Sequence, residues 1–220
     1  MLNFVPLNSN KHRNMRFTPA SDFKFARQIS EIDITLSEIW PLSSFFPIVF
    51  SRRLQESHDV FFPIVVIGKP NQANNLVSKD GSIKLSAIPS LLRTYPFLIK
   101  NLAKDKTQIF VDENSSYFSK TGRVPLFSED GVYTAEAKNI LAVLRVVADE
   151  LREAQKLGSI ASRLGLLKSA GDAFAGNEYF YLDLDLLNQM TDSTALMLHD
   201  RHWLQLLYAI ALSTSYHLKH

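Results

Sequence analysis

The chain of 220 residues contains no cysteine. Disulfide bonds, thiolate nucleophiles and cysteine-ligated zinc or iron–sulfur sites are therefore excluded. No run of about 18 apolar residues occurs, so the sequence predicts no membrane-spanning helix. Residues 1–16 also lack the apolar core of a signal peptide. We expect a cytoplasmic protein, and export by a route without a signal peptide stays open.

A large excess of charge of one sign is also absent. Lys and Arg number 24 and Asp and Glu number 22, so the formal net charge is +2. This balance does not predict binding to nucleic acid or to an acidic membrane. Hydrophobic residues make up 46% of the chain, which is typical of a packed globular protein. We expect a single domain over residues 1–220.

Glycine is scarce, with 8 residues. The glycine motifs that bind phosphates and dinucleotides are missing, as is the Gly-x-Ser-x-Gly nucleophile elbow. The sequence therefore predicts no cofactor. His199 and His202 would share a face if both lay on one helix, but no third ligand is identifiable. We expect them to be surface or capping residues, and the protein to bind no transition metal.

The first half of the sequence predicts strands and loops. β-branched and aromatic residues concentrate in residues 46–50, 60–68 and 107–112, as is typical of strands. Residues 32–36 alternate apolar and polar side chains and predict a short strand. Residues 36–45 fit either a helical turn or a loop.

The second half of the sequence predicts helices. Apolar residues recur at three- and four-residue spacing from Ile140 to Leu151, and Thr134 is a suitable N-cap for that helix. Gly158 is expected to end or weaken the helix. A further helical turn is expected to close at Gly165.

Two helices are predicted nearer the C-terminus. Asp183 or Asp185 is expected to cap a short helix, and Asp200 is expected to cap the final one. Helical spacing in the final helix predicts one buried face, made of Trp203, Leu206, Leu207, Ile210 and Thr214. The patterns as a whole predict an α+β fold, with mostly strands and loops in the first 130 residues, helices after them and one shared core.

A longer pattern lies at residues 88–97, which read IPSLLRTYPF and contain Pro-x-x-x-Arg-x-Tyr-Pro-Phe. Shorter phrases accompany it in a set order: PLN at 6–8, ITLSEI at 34–39, FPIVF at 46–50, PLF at 125–127, GLL at 165–167 and WL at 203–204. In type and order these phrases resemble the SapC family of bacterial proteins, over nearly the whole chain. The sequence departs from the family at Ile83 and Ser86, where the family has Trp and Tyr, and at His202, where it has Gly.

This resemblance implies a biological setting but no reaction. The name of the family refers to genes associated with bacterial surface layers. Members are also found beside outer-membrane receptors, cupin-like proteins and flavin-dependent halogenases. The resemblance therefore implies a bacterial protein of a surface-layer, export or nutrient-uptake pathway, and it supplies no catalytic residue.

Arg93 and Glu38 are the leading candidates for a ligand-binding site. Arg93 stands between Pro89 and Pro96, which stiffen the segment and are expected to aim its side chain inward. Its planar guanidinium suits a carboxylate or phosphate, and the alternative is a structural ion pair, above all with Glu38. Glu38 lies in an apolar neighbourhood, where it could act as a general acid or base. Its alternatives are a pairing partner for Arg93 or Arg52, or a carboxylate at a helix terminus.

Tyr95 and His12 complete the set of candidate ligand-binding residues. Tyr95 belongs to a group of aromatic residues that would line either a ligand pocket or the hydrophobic core; the others are Phe45, Phe46, Phe50, Phe61, Phe62 and Phe97. His12 precedes Arg13, and neither its role as a ligand contact nor a structural role is favoured by its neighbours.

Two functions are compatible with the sequence. The first is an accessory or binding protein with a protein partner or a small anionic ligand. The alternative is an enzyme of unassigned reaction with a pocket near Glu38 and Arg93. A pocket with convergent polar groups would favour ligand binding or catalysis, whereas an exposed apolar patch would favour a protein partner.

Overall fold

The computed structural model describes residues 2–69, 72–101, 107–171 and 178–218. Strands dominate the first half of these residues and helices the second, which confirms the predicted α+β class. The strands are β1 Phe4–Pro6, β2 Arg16–Phe17, β3 Glu31–Asp33, β4 Ile48–Gln55, β5 His58–Val66, β6 Phe97–Asn101, β7 Thr107–Asp112, β8 Phe118–Ser119, β9 Val124–Pro125, β10 Leu167–Ser169 and β11 Tyr179–Leu182.

Helices connect and cover these strands. The α-helices are α1 Ser9–His12, α2 Ile39–Ser43, α3 Ser90–Arg93, α4 Ala135–Arg163, α5 Leu184–Asn188, α6 Asp192–Asp200 and α7 Leu204–Leu218. Two 3₁₀ turns lie at Lys24–Ala26 and Leu36–Glu38. Residues 36–43 are therefore helical and residues 44–45 form a turn, which favours the helical alternative of the two predicted. None of the described helices is long and apolar enough to cross a membrane.

Three antiparallel sheets form in the described residues. The largest has the strand order β10-β11-β4-β5-β3, and the others have the orders β1-β7-β6 and β8-β2-β9. Strands β4 and β5 form a hairpin whose two turn residues, Glu56 and Ser57, both have positive φ. That geometry matches the right-handed twist of the strands. The hairpin explains why β4 continues to Gln55, well beyond the predicted residues 46–50: its polar end pairs with β5.

Helix α4 corrects the expectation for Gly158. The helix runs through Gly158 without a break, because this residue lies where the helix contacts β5. A Cβ atom built there would stand 2.2 Å from the carbonyl oxygen of Phe61. The helix ends near the predicted Gly165, whose φ is +69°. There Leu166 N donates to Ala161 O at 3.0 Å, the hydrogen bond of a Schellman motif.

The predicted helix caps have mixed outcomes. Thr134 caps α4 and accepts a hydrogen bond from Ala137 N, and Asp183, of the two aspartates proposed, caps α5. The expectation for Asp200 is wrong, because this residue is the last of α6. His202 then adopts a φ of +58°, which a helix does not allow, so α7 begins two residues later.

The core consists of two large hydrophobic clusters. One packs around the five-stranded sheet with α2 and α7, and the other around β6 and β7 with the first half of α4. Trp203 and Ile210 are buried as predicted, whereas Leu206 is half-buried. Helix α4 contributes to both clusters, with Leu144 in one and Leu157 in the other. The shared helix supports the single domain, which stays a prediction.

Candidate functional site

Glu38 is a buried structural carboxylate. It is the last residue of the 3₁₀ turn and 7% exposed. Thr35 N donates to its Oε2 at 2.9 Å, and Ser90 N donates to its Oε1. The first bond belongs to a capping box that begins at Thr35, and the second ties this turn to the start of α3. Both oxygens of Glu38 therefore hold backbone amides in place.

Arg93 does not point inward, so that part of the prediction is wrong. Its side chain is 61% exposed, and its guanidinium lies 3.8 Å from Glu38 Oε1. One N–H donates to Ser90 Oγ at 2.8 Å. Helix α3 is a single turn whose buried position is taken by Leu92, which leaves Arg93 on the solvent side. The expected pairing with Glu38 is present, as an ion pair at the protein surface.

Tyr95 belongs to a second, buried network. Its hydroxyl donates to Asp112 Oδ2 at 2.8 Å, and its ring stacks on Phe25 with a centroid separation of 3.6 Å. Burial raises the pKa of Tyr95 to about 12. Asp112 is 1% exposed and also accepts hydrogen bonds from Asn3 N and Asn114 N. Asp112, the last residue of β7, thus connects the N-terminal segment with the segment that follows α3.

His12 is buried next to this network. Its Nδ1 accepts a hydrogen bond from Asn8 N at 3.0 Å, so its proton lies on Nε2, which donates to Glu113 Oε1 at 2.9 Å. Its ring meets Phe118 edge to face. Hydrogen bonds from Lys11 and His12 lower the pKa of Glu113. Both ring nitrogens of His12 are therefore engaged in holding α1 against the loop after β7.

The four predicted site residues do not form one site. Arg93 pairs with Glu38, whereas Tyr95 donates its hydroxyl to Asp112. His12 contacts Glu113, the neighbour of Asp112 in the chain. The capping box at residues 35–38 was readable from the Thr-x-x-Glu spacing, whereas no local pattern pointed to Asp112.

A cavity of about 240 Å³ lies between β1 and β6, the two outer strands of one sheet, and the edge strand β3 of another. Its lining is mostly apolar, and Tyr95 is part of it. The apolar lining residues are Leu2, Phe4, Phe25, Ile29, Ile32, Leu91, Leu92, Tyr95, Phe97 and Leu98, and the ionisable ones are Glu31, Asp33 and Arg53. Of the predicted aromatic residues, Tyr95 and Phe97 line this cavity, and Phe97 also belongs to the second core cluster. Phe46, Phe50 and Phe61 belong to the first core cluster.

The ionisable residues of this cavity are paired with protein groups. Glu31 and Asp33 are two residues apart in β3, so their side chains lie on the same face of the sheet. Arg53 donates two hydrogen bonds to Asp33, one of them at 2.7 Å, and its guanidinium lies over the ring of Phe62. Burial acts to lower the pKa of Arg53, but the hydrogen bonds and charge of Asp33 raise it overall. Glu31 accepts a hydrogen bond from the Tyr179 hydroxyl.

A second depression, of about 560 Å³, lies between α2 and α7. We call it the interhelical groove, and its lining residues are Trp40, Ser43, Ser44, Gln205, Tyr208, Ala209, Leu212, Ser213 and Tyr216. Trp40 is 62% exposed and Tyr216 is 66% exposed. The sequence signal for this groove is the recurrence of Tyr208, Leu212 and Tyr216 every four residues, on the side of α7 away from its buried face.

The two candidate metal ligands do not share a helical face. His199 lies in the last turn of α6, whereas His202 follows the helix at positive φ. The exposed His199 ring lies 3.8 Å from the Asp200 carboxylate. Within the residues that the structure describes, no three His, Asp or Glu side chains converge in a way that could hold a metal ion.

Antiparallel sheets, a long helix packed on them and a mostly apolar cavity beside the edge strand β3 define an α+β protein. The family model of SapC matches residues 7–217, nearly the whole chain. The protein therefore belongs to the SapC family. No curated protein and no solved structure matches the chain.

Proposed function

We propose that this SapC-family protein is a non-enzymatic binding protein of a bacterial surface-layer, export or nutrient-uptake pathway. The ligand in this proposal is a small, mainly apolar molecule held in the cavity that β1, β3 and β6 line. Family membership supports the pathway, and the shape and lining of the cavity support the ligand.

The single observation that carries this proposal is the composition of the cavity. Ten apolar or aromatic side chains line it, together with three ionisable ones. Small-molecule sites have this combination of an apolar wall and a few placed polar groups. The volume of about 240 Å³ is below the roughly 300–1,000 Å³ of sites for drug-sized ligands. A ligand with one ring or a short acyl chain fits this space.

The charge of the cavity indicates which polar end the ligand carries. Two carboxylates, from Glu31 and Asp33, face one guanidinium, from Arg53, so one negative charge is in excess. A cationic or hydrogen-bond-donating end is therefore favoured over an anionic one. The anionic ligand expected at Arg93 is a separate prediction, and the exposure of that side chain gives it no enclosed site.

Binding is favoured over catalysis because the polar groups at the cavity are engaged. Arg53 donates hydrogen bonds to Asp33, and the Tyr179 hydroxyl donates one to Glu31. The carboxylate of Glu38, proposed as the acid or base of an enzyme, is occupied by two backbone amides. A general base needs a free position within hydrogen-bond reach of its substrate. The enzyme alternative near Glu38 and Arg93 stays a prediction without a supporting contact.

The first experiment is native mass spectrometry of protein purified without denaturation, to detect a retained small molecule. The second is ligand-observed NMR with benzylamine and benzoate, which share a ring and differ in charge. We expect benzylamine to bind more strongly than benzoate. The Leu98→Trp variant fills the cavity and should abolish binding, whereas Leu196→Trp, at an exposed position on α6, should leave it intact.

Thermal melting of both variants by circular dichroism shows whether each is folded. Equal binding of benzylamine by a folded Leu98→Trp variant and by the unmodified protein would contradict the cavity site. The absence of both a retained molecule and any probe binding would contradict the proposed function as a whole.

A further inference from the structure

The interhelical groove combines exposed aromatic rings with neutral hydrogen-bonding groups. Trp40 from α2 and Tyr216 from α7 are each more than half exposed, at 62% and 66%. Exposed aromatic residues that cluster in a depression are a feature of binding surfaces. Leu212, 55% exposed, also lines the groove and adds to its apolar surface.

Three polar side chains of this groove are available to a ligand. Ser44 Oγ, the Gln205 amide and the Trp40 indole N–H make no hydrogen bond to any other residue that the structure describes. An amide, a hydroxyl and an indole N–H together offer both donors and acceptors without a net charge. The nine described residues that line the groove include no Asp, Glu, Lys, Arg or His.

The elements that carry the groove are fixed to the central sheet. Ile48 N in β4 donates to Ser213 Oγ at 3.1 Å, and Thr214 Oγ1 donates to Ile48 O at 2.9 Å. These two buried residues anchor α7 below the groove. A site on elements that are held in this way loses little conformational freedom on binding.

We propose that the interhelical groove binds a neutral carbohydrate. A pyranose ring presents C–H groups on its faces and hydroxyls on its edge. The negative faces of Trp40 and Tyr216 suit the C–H groups, and Gln205 and Ser44 suit the hydroxyls. A folded protein partner fits less well, because a stable interface uses about 20–30 residues a side. This proposal is independent of the ligand in the cavity at β3.

Tryptophan fluorescence reports directly on this site. Of the two tryptophans in the chain, Trp40 lines the groove, whereas Trp203 is buried and does not line it, so a change in emission on binding is assigned to Trp40. The titration uses maltotriose, cellotriose and chitotriose as probes. We expect at least one trisaccharide to shift the emission of Trp40 in a saturable way. Saturation-transfer NMR of the same sugars should then show the bound protons.

Variants separate stacking from the polar contacts. Trp40→Ala should weaken binding about ten-fold or more, and Trp40→Phe should keep part of the affinity because it keeps a ring. Gln205→Leu keeps the length of the side chain but removes the amide, and should also weaken binding. Leu54→Ala, at a 73% exposed position on the β4–β5 hairpin, is the control and should bind like the unmodified protein.

Three outcomes would overturn the carbohydrate site. One is that none of the three sugars binds. Another is undiminished NMR binding by folded Trp40→Ala. The third is that an amphipathic peptide binds the groove while the sugars do not. Benzylamine binding at the cavity is unaffected by any of these, so the two proposals fail separately.

Discussion

Gly158 of α4 lies directly against the carbonyl oxygen of Phe61 in β5. A Cβ atom at this position would stand 2.2 Å from that oxygen and 3.0 Å from the ring of Phe50. The backbone of the strand cannot move away without disturbing the hairpin with β4. The helix and the sheet therefore approach each other here as closely as the absence of a side chain allows.

Substitution of Gly158 tests this contact by the sign of its effect. In an exposed helix, glycine to alanine stabilises by about 1 kcal/mol. At Gly158 we expect Gly158→Ala to destabilise by roughly 1–3 kcal/mol instead, because the added methyl group overpacks the contact. Urea denaturation measures the change in the free energy of unfolding. A more stable Gly158→Ala variant would show that the helix does not approach β5 this closely.

Glu38 and Arg93 should make unequal contributions to stability. Glu38→Gln weakens the acceptor for two backbone amides and should cost about 1–3 kcal/mol. Arg93→Lys changes an exposed ion pair, so its cost should lie between about 0 and 1 kcal/mol. The double variant measures their coupling. A cost for Arg93→Lys that equals that of Glu38→Gln would mean that Arg93 is buried in solution.

The stability of the protein should depend on the hydrogen bond that the Tyr95 hydroxyl donates to Asp112. Tyr95→Phe removes the donor to a buried carboxylate and should cost about 1–3 kcal/mol. Tyr133→Phe is the matched control, because the half-buried Tyr133 hydroxyl makes no hydrogen bond to the other residues described. Thermal denaturation compares the two. If Tyr95→Phe and Tyr133→Phe lower the stability equally, the Tyr95–Asp112 hydrogen bond makes no net contribution to stability.

The raised pKa of Tyr95 predicts a loss of stability in alkali. The hydroxyl titrates at about 12 in the folded protein against 10.0 as its ordinary value. Since the folded state retains the proton more firmly, its contribution is complete below pH 10 and is lost as the pH rises towards 12. The free energy of unfolding should therefore fall more steeply above pH 10 for the unmodified protein than for Tyr95→Phe. Parallel curves would contradict the raised pKa.

Alanine substitutions at buried and half-buried positions of α7 should lower the stability of the protein by different amounts. Ile210→Ala should destabilise by about 2–5 kcal/mol because its side chain is fully buried. Leu206→Ala should cost less, because Leu206 is half-buried, and the 55% exposed Leu212 gives the control. Denaturant titration of the three variants ranks them. Equal costs at all three positions would be inconsistent with one buried face.

Metal content offers a direct check on the histidines near α6. Elemental analysis of protein purified without chelators should find well under one equivalent of any transition metal. His199→Ala and His202→Ala should leave that content unchanged. A stoichiometric metal that is lost in both variants would establish a site.

Signals carried by neighbouring residues predicted much of this fold. Thr134 and Gly165 mark helix ends through hydrogen bonds that close within a few residues, so sequence spacing is sufficient to find them. The direction of Arg93 is a different matter. It depends on Leu92 taking the buried side of α3, which the flanking prolines do not decide.

The candidate site was less predictable than the fold because its parts come from distant segments. Phe4, Arg53 and Leu98 line one cavity although tens of residues separate them in the chain. Asp112 likewise accepts hydrogen bonds from Tyr95 and Asn3, which lie far from it in the sequence. The prediction for Gly158 was wrong because a glycine inside a helix indicates a break only when no neighbouring element needs the space that a side chain would fill.

Helix α4 has a consequence for local opening of the protein. Its first half lines one hydrophobic cluster and its second half lines the other. If either half of this 29-residue helix detached, it would expose apolar surface at one cluster and disturb the packing of the other half against the second cluster. Hydrogen exchange along α4 should then show amide protection of similar size at Leu144 and Leu157, because both amides exchange only when the two clusters open together.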